Sequence, residues 1–473
     1  MSIFIDRKRE LSALDERYRQ GKAEFIILYG RRRIGKSGLI DRFLGSAHGI
    51  RLLAREESKH LQLKKFSYEL GDFFSDDFLK TTSFSDWDSF FTYLSGKAKD
   101  RVVIAIDEFP YLVAVNRALP SLIQRWWDSV GSRSNVVLIL AGSQQSMMRS
   151  LVSSDGALYG RPTRAHHLRP FDYYYAGRFA AGWSPEDKVR LYAVAGGVPD
   201  YLEEFDATLP FRDELLRVAY SPTGRLFREA PDLLRSEFVE PRTYETVLRA
   251  IANGYVTPGE IAAQAGLAGA NRVTPYLEKL IDLGLVERRV PPPDVGQPRS
   301  RNSQYVIADP YLRFYFALVD PWRSAIQQGQ GAGVLGEVWG EEFDRFVSWT
   351  FEDVARQHLQ RLAGTGAIGP FTNVGFWWFA GGDIDAAAMT GPRLAAAASV
   401  KWTREQVKPG DVADLRRDVG RVAPGDRPHL FLYSRSGYDR NIAPEPDLTL
   451  VGLRELFAAE LEYERPRGSR PRA

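Results

Sequence analysis

Three short runs of consecutive apolar residues dominate the hydrophobic pattern in the first third of the chain. They cover residues 25–29, 102–106 and 136–140. Runs of this length are typical of strands that are buried on both faces of a parallel sheet. Stretches with helical periodicity, such as 119–130, lie between them. Alternating strands and helices predict an α/β domain with a parallel sheet over residues 1–170.

The remaining two thirds of the chain show a different pattern. Residues 171–240 are mainly helical and predict a helical lid, and residues 241–325 predict a compact unit of helices and a strand pair. Residues 335–463 begin with a helix and continue with aromatic and apolar strands, which predicts a last α/β domain. The glycine-rich segment 328–333 is typical of a linker, and the Arg/Pro-rich tail 464–473 is expected to be disordered.

The composition mainly excludes certain kinds of site and certain classes of protein. The 473 residues include no Cys and six His, which excludes disulfide scaffolds, thiolate metal sites and Cys nucleophiles and argues against a His-rich zinc site. A net charge of +3 is too small to indicate a nucleic-acid coat or a membrane-surface binder. No apolar run approaches the ~18–20 residues that cross a bilayer, and the N-terminus lacks the apolar core of a signal peptide. We therefore expect a soluble, cytoplasmic protein with no membrane partner.

A phosphate-binding loop is the most specific motif in the chain. Residues 30–37 match the pattern G-x-x-x-x-G-K-[ST], and they follow a predicted strand and open a predicted helix. In that context backbone N–H groups and the helix N-terminus hold phosphate. We expect Lys36 to reach the β- and γ-phosphates and the Ser37 hydroxyl to bind Mg²⁺. The predicted nucleotide-binding residues of the loop are Gly30, Arg31, Arg32, Arg33, Ile34, Gly35, Lys36 and Ser37. The alternative is a coincidental glycine turn.

Polar residues follow the other two apolar runs. Asp107 and Glu108 follow the second run, where an ATPase places an acid that holds Mg²⁺ and a base that orients the attacking water. Ser143 follows the third run and is a candidate contact to the γ-phosphate or to that water. Arg161 lies further on and is a candidate arginine finger, with an ordinary surface arginine as the alternative. No guanine-specific Asn-Lys-x-Asp motif follows an apolar strand, so we expect ATP rather than GTP.

Residues 241–325 carry the pattern of a winged helix-turn-helix. Apolar positions at helical spacing occupy 244–253 and 271–283, and a capping box at Thr257–Glu260 starts a helix between them. Two predicted strands, 285–290 and 304–307, complete three helices and a hairpin.

The charges of this unit allow two interpretations. The second helix of the helix-turn-helix offers only Arg272 and Lys279. The hairpin carries an excess of two positive charges, from Arg288, Arg289, Arg299 and Arg301 against Glu287 and Asp294. Contact with the phosphates of duplex DNA is one hypothesis, and a winged helix that only packs domains together is the other.

The last domain carries an altered nuclease pattern. Restriction-endonuclease-like enzymes need an Asp at a strand end and a Glu-x-Lys on the next strand, because the carboxylates hold Mg²⁺ and the Lys positions water. Asp385 and Lys401 have a suitable spacing, and Glu352 lies on the preceding helix. Ser399 occupies the Glu position, and a hydroxyl is a poor substitute for a carboxylate on Mg²⁺. We expect at most a weak second metal site at Glu352, Asp383 and Asp385 with Lys401, and a fold that persists without catalysis.

Several of these segments together resemble the archaeal-type ATPase family, P-loop proteins related to STAND and AAA-like ATPases. The resemblance is carried by residues 4–11, the phosphate loop, Asp107-Glu108, Gly142-Ser143, 158–161 and 196–199, and by the order of the winged helix, 309–314 and the nuclease-like domain. It implies ATP and Mg²⁺ as cofactors, bound through Lys36, Ser37 and Asp107, with Glu108 as the base. It also implies that Arg161 is a γ-phosphate sensor or a finger that acts on a neighbouring subunit.

The expected fold class is therefore α/β: a P-loop NTPase parallel-sheet domain, a helical lid, a winged helix-turn-helix and a C-terminal α/β restriction-endonuclease-like domain. The leading hypothesis is a Mg-dependent ATPase that acts as a nucleotide-driven switch and regulates binding to duplex DNA, to a protein partner or to further copies of itself. One alternative is an ATP-controlled DNA-processing nuclease. Another is a scaffold that binds ATP for stability.

Overall fold

The computed structural model describes residues 7–297, 302–443 and 445–458. Two compact units divide the chain, Met1–Pro170 and Phe171–Ala473. The first residues of segment 4–11, the hairpin residues Arg299 and Arg301 and the tail 464–473 lie outside the described residues. Among the described residues, no helix combines the length and the apolar character that a membrane crossing requires.

The first unit is a five-stranded parallel sheet with helices on both faces. Its strands are β1 (Glu24–Tyr29), β2 (Gly49–Leu53), β3 (Val102–Asp107), β4 (Val136–Gly142) and β5 (Arg164–His167). Its helices are α1 (Lys8–Arg19), α2 (Lys36–Leu44), α3 (Lys59–Phe73), α4 (Asp77–Thr81), α5 (Trp87–Lys97), α6 (Pro110–Val115), α7 (Leu119–Ser129) and α8 (Gln145–Val152). The strand order is β2-β3-β4-β1-β5, and all four pairings are parallel. The predicted parallel α/β domain is confirmed.

The central strands form because their residues are apolar on both faces. Every residue of β3 and β4 is buried. In β1, Phe25 and Ile27 face one hydrophobic core, whereas Ile26 and Leu28 face the core on the other side of the sheet. Alternating side chains of a strand point to opposite faces, so a run without polar residues needs cover on both sides.

The second unit begins with helices and ends with a mixed sheet. Its helices are α9 (Tyr173–Gly177), α10 (Pro185–Ala195), α11 (Pro199–Leu202), α12 (Phe211–Ala219), α13 (Arg225–Glu237), α14 (Pro241–Ala252), α15 (Pro258–Gln264), α16 (Ala270–Asp282), α17 (Pro310–Phe314), α18 (Arg323–Gln327), α19 (Gly331–Val338), α20 (Glu341–Gly364), α21 (Pro409–Val422) and α22 (Leu453–Leu456). Its strands are β6 (Val286–Arg289), β7 (Gln304–Ile307), β8 (Asn373–Phe379), β9 (Gly382–Thr390), β10 (Arg393–Lys401), β11 (His429–Ser434) and β12 (Leu448–Gly452).

The C-terminal sheet has the strand order β12-β11-β10-β9-β8. The β8–β9 and β9–β10 pairs are antiparallel, whereas β10–β11 and β11–β12 are parallel. One face of this sheet packs into a core that extends from Phe171 to Leu456, and α21 covers the other face. Apart from α21, the helices after residue 170 therefore share one hydrophobic core with this sheet. The finer domain boundaries stay predictions.

The predicted linker at 328–333 is wrong, because α19 starts inside it at Gly331. A Cβ at Gly331 would lie 1.6 Å from the carbonyl oxygen of Tyr220. The glycine therefore serves a close backbone approach within the fold rather than chain flexibility.

Three helices and a strand pair occur in the order that the sequence predicts for a winged helix. Helices α14, α15 and α16 are followed by the antiparallel pair of β6 and β7. The capping box at Thr257 and Glu260 is present at the start of α15. Whether this unit acts as a winged helix stays a prediction.

Candidate nucleotide site

The phosphate loop connects β1 to α2 in a conformation that its glycines permit. Gly35 is the N-cap of α2 with φ +87°, and Arg33 also has a positive φ of +66°. A Cβ at Gly30 would lie 2.4 Å from the carbonyl oxygen of Leu168, so only glycine fits there. The Lys36 amine is buried and donates to the carbonyl oxygens of Gly30 and Arg31, both at 3.0 Å. Backbone carbonyl oxygens of the loop thus bind the amine of the loop's own lysine.

The other side chains of the loop point in different directions. Arg32 donates to the Tyr111 hydroxyl at 3.4 Å. Arg31 and Ile34 are buried, whereas Arg33 is exposed. The backbone of the loop, rather than this arginine run, is therefore the part of the predicted site whose conformation suits phosphate.

A serine–aspartate pair lies at the start of α2. The Ser37 hydroxyl donates to Asp107 Oδ2 at 2.6 Å, and Asp107 is fully buried at the end of β3. The backbone N–H of Glu108 donates to the other Asp107 oxygen at 3.0 Å. A hydroxyl and a carboxylate beside the phosphate loop are the hard oxygen ligands that Mg²⁺ takes in P-loop sites. The residues present therefore fit Mg²⁺.

Glu108 and Ser143 meet across neighbouring strands. The Ser143 hydroxyl donates to Glu108 Oε2 at 2.8 Å, and the Ser143 N–H donates to the same oxygen at 3.3 Å. Glu108 has a left-handed backbone with φ +52°, which is costly for a residue with a Cβ. The structure thus brings together the predicted base and the predicted γ-phosphate contact at the carboxyl edge of the sheet.

Two arginines to which the sequence analysis assigned no role lie beside these residues. The Arg7 guanidinium is buried and donates to the carbonyl oxygens of Ile34 at 3.1 Å and Arg169 at 2.9 Å, so it ties the phosphate loop to the segment after β5. The Nη1 of Arg51, on β2, lies 3.4 Å from Asp107 Oδ2. Arg7 lies within the segment that carries the family resemblance, but Arg51 lies in no motif.

Arg161 lies at the opposite edge of the sheet. Thr163, two residues later, donates its N–H to the carbonyl of Phe25 near the start of β1. The phosphate loop follows the end of β1, and six residues of strand at ~3.3 Å each span about 20 Å. The Arg161 guanidinium instead binds Asp128, with Nη2 3.1 Å from Oδ2. The prediction that Arg161 is an arginine finger in the site of its own chain is therefore wrong. A role in the site of a neighbouring copy stays a prediction.

The predicted second metal site does not form. The Nη1 of Arg356 lies 3.6 Å from Glu352 Oε2 and donates to the backbone carbonyl of Asp385 at 2.6 Å. Lys401 instead lies 3.9 Å from Asp411. Among the described residues, no three His, Cys, Asp or Glu side chains gather as a metal site. The expectation that Glu352, Asp383 and Asp385 could hold a metal is therefore wrong. Arg356 instead lies beside Glu352, and the Asp385 carboxylate accepts the backbone N–H of Val400 at 2.7 Å.

Burial and nearby charges change the ionisation of the carboxylates in this region. Burial raises the pKa of Glu352 to about 7 and that of Asp385 to about 6. Asp353 behaves in the opposite way: burial alone would raise its pKa, but nearby guanidinium groups hold it well below the usual range. Those groups are Arg356, Arg289 and Arg313. The hairpin strand β6, helix α17 and helix α20 are thus joined at one carboxylate.

Comparison with known proteins agrees with this architecture. Residues 4–205 match the family model described as an ATPase domain predominantly from Archaea. Residues 315–412 match the model described as Archaea bacterial proteins of unknown function. The Walker-type ATPase of Pyrococcus abyssi superimposes with a TM-score of 0.51 at 22% identity, over 66% of this chain and 96% of that one. That likeness concerns the fold.

Relatives in sequence extend the match along the chain. An uncharacterized protein of Methanocaldococcus jannaschii is 33% identical over 422 residues, which cover 89% of this chain and 91% of that protein. An uncharacterized ATP-binding protein of the same organism is 52% identical over 42 residues, 9% of this chain and 71% of that protein. The chain therefore belongs to the archaeal-type ATPase family, with a P-loop ATPase domain first and a C-terminal domain of unknown function after it.

Proposed function

We propose that this chain binds ATP with Mg²⁺, hydrolyses it to ADP and phosphate, and uses the nucleotide state as a switch. One observation carries the proposal: Lys36, the Ser37–Asp107 pair and the Glu108–Ser143 pair converge at one edge of the sheet after three different strands. Neither a coincidental glycine turn nor a solvent-facing acidic pair would produce this convergence.

The chemistry follows from the positions of these groups. Lys36 and the N–H groups of the phosphate loop bind the phosphates. When bound, Mg²⁺ neutralises charge on the phosphate oxygens, with Ser37 and Asp107 as its protein ligands. Glu108 accepts the proton of a water whose oxygen attacks the γ-phosphorus, while the bond to the bridging oxygen breaks and ADP leaves. Ser143 positions Glu108 and is within reach of the same region.

In this proposal the second unit binds the partner that responds to the nucleotide state. The exposed charged side chains of α16 are one positive and two negative: Arg272, Glu278 and Asp282. Such a face attracts DNA phosphates weakly. Arg289 of the hairpin is already paired with Asp353 at 3.0 Å. We therefore place a protein partner, which includes a second copy of the chain, ahead of duplex DNA.

Steady-state ATP hydrolysis by the purified chain, with and without duplex DNA, tests the proposal. Lys36→Ala should abolish ATP binding, whereas Glu108→Gln should bind ATP but lose turnover by about 100-fold or more. Glu16→Gln and Lys22→Ala, at exposed positions outside the site, are the matched controls. Unchanged turnover in Glu108→Gln would remove Glu108 from its role, and turnover that rises with DNA would restore duplex DNA as the leading partner.

Two alternatives make different predictions in the same experiments. An ATP-controlled nuclease requires metal-dependent nicking of plasmid DNA that Asp385→Ala abolishes. The Arg356 contacts at Glu352 and Asp385 argue against that activity. A scaffold would bind ATP and show no turnover that depends on Glu108.

A further inference from the structure

Contacts with two aspartates hold Arg51 beside the predicted magnesium ligands. It lies on β2, and its Nε and Nη2 donate to the two carboxylate oxygens of Asp41 on α2, at 2.6 and 3.0 Å. Its Nη1 lies 3.4 Å from Asp107 Oδ2. A bidentate contact fixes the plane of a guanidinium, so the third nitrogen is directed at Asp107 by geometry rather than by chance.

The same oxygen of Asp107 also accepts the hydroxyl of Ser37 at 2.6 Å. Arg51 therefore presents its charge to the carboxylate oxygen that forms the predicted metal pair. The Asp107 side chain is fully buried between apolar strands, and that of Arg51 is 26% exposed. A buried carboxylate needs a compensating charge, and a guanidinium stays charged at every physiological pH.

We propose that Arg51 is the internal counter-cation of the Mg²⁺ site, an inference that rests on the proposed ATP site. In the metal-free protein Arg51 compensates Asp107 and opposes the binding of a divalent cation at the same oxygen. Toward a nucleotide it acts in the opposite sense, because its positive charge attracts the phosphate oxygens when no metal accompanies them. Metal binding is thereby made dependent on the nucleotide.

The test measures two affinities of the full chain that should move in opposite directions in Arg51→Met. Mn²⁺ titrated into the nucleotide-free protein and followed by electron paramagnetic resonance should bind at least threefold more tightly than to the wild type. A fluorescent ATP analogue titrated in the presence of EDTA should bind at least threefold more weakly. A merely structural role for Arg51 would weaken both, and that result, or two unchanged affinities, would overturn the proposal.

Matched variants locate the effect. Arg51→Lys keeps the charge and should return both affinities toward the wild-type values. Arg125→Met removes one positive charge at an exposed ion pair with Asp88 and should change neither affinity. The double variant Arg51→Met with Asp107→Asn should lose the gain in Mn²⁺ affinity, because the gain arises at Asp107.

The experiments distinguish failure of this proposal from failure of the proposed function. If Arg51→Met does not fold, as judged by circular dichroism, Arg51→Gln removes the charge with a smaller loss of hydrogen bonding and carries the same two expectations. If Lys36→Ala retains wild-type ATP affinity, the nucleotide site itself is wrong. If Lys36→Ala loses ATP and Arg51→Met shows no opposed shifts, only the role of Arg51 is wrong.

Discussion

Replacement of Glu352 by Gln should stabilise the protein at alkaline pH and not at acidic pH. Glu352 has its pKa raised from 4.5 to about 7, first by burial. Between these two values the folded state binds more protons than the unfolded state, so the stability falls as the pH rises through this window. Below pH 4.5 both states are protonated and the penalty disappears. Gln removes the penalty because it carries no charge at any pH.

The magnitude follows from the size of the shift. A change from 4.5 to about 7, at ~1.4 kcal/mol per pKa unit, corresponds to about 3 kcal/mol in the charged form. The contact of Glu352 with Arg356 at 3.6 Å is lost in the variant and offsets part of the gain. We therefore expect Glu352→Gln to raise the free energy of unfolding by about 1–3 kcal/mol at pH 8, and by much less at pH 4.5.

Urea unfolding at both pH values, followed by circular dichroism, measures this difference. Glu337→Gln, at an exposed position on α19, is the control for the loss of one carboxylate. A nuclease-type metal site predicts the opposite sign: Mg²⁺ would stabilise the wild type at pH 8, and Glu352→Gln would remove that effect. A variant no more stable than the wild type at pH 8, or equally stabilised at both pH values, would refute the reasoning.

Four further outcomes are expected. Gly30→Ala should abolish binding of a fluorescent ATP analogue and lower the melting temperature, because its Cβ meets a backbone oxygen at 2.4 Å. Ser143→Ala should lower kcat at least tenfold while the ATP affinity changes less than twofold, as turnover and binding assays will show. Arg161→Ala should leave ATP affinity within twofold of wild type in the same titration, since Arg161 lies at the far edge of its own sheet. Asp353→Asn should destabilise the fold by about 3 kcal/mol in urea unfolding, because three guanidinium groups lose their shared carboxylate.

In the first unit, the hydrophobic pattern predicted the three strands that are covered on both faces and missed the two edge strands. β1, β3 and β4 are buried along nearly their whole length. β5 has the sequence Arg-Ala-His-His with mostly exposed residues, and β2 is only partly buried. Both are edge strands of the sheet, where one side is open and the demand for apolar residues is weaker.

The candidate site was predictable where its residues follow strand ends. Asp107 comes directly after one apolar run, and the phosphate loop and Ser143 follow the other two within a few residues. Parallel strands bring their carboxyl ends together at one edge of the sheet. The role of Arg51 depends on β2 lying next to β3, which no pattern along the chain records. The position of Arg161 depends in the same way on the direction in which β5 pairs with β1.

The C-terminal region illustrates a different limit. In the sequence, Asp385 and Lys401 have a spacing that suits a metal centre, Glu352 lies on the preceding helix, and Ser399 departs from the pattern. The sequence does not show that Arg356, one turn after Glu352, reaches the backbone of Asp385. Whether a carboxylate binds a metal ion from solution or pairs with an arginine of the same chain depends on side-chain packing. The spacing of residues along the sequence does not determine that packing.

Arg7 has a mechanical consequence. One guanidinium binds the phosphate loop at Ile34 and the carbonyl of Arg169, the residue that precedes the last position of the first unit. The loop and the exit of the chain from this unit are therefore coupled without an intervening element. A displacement of the loop at Ile34 would therefore also strain the contact of Arg7 with Arg169.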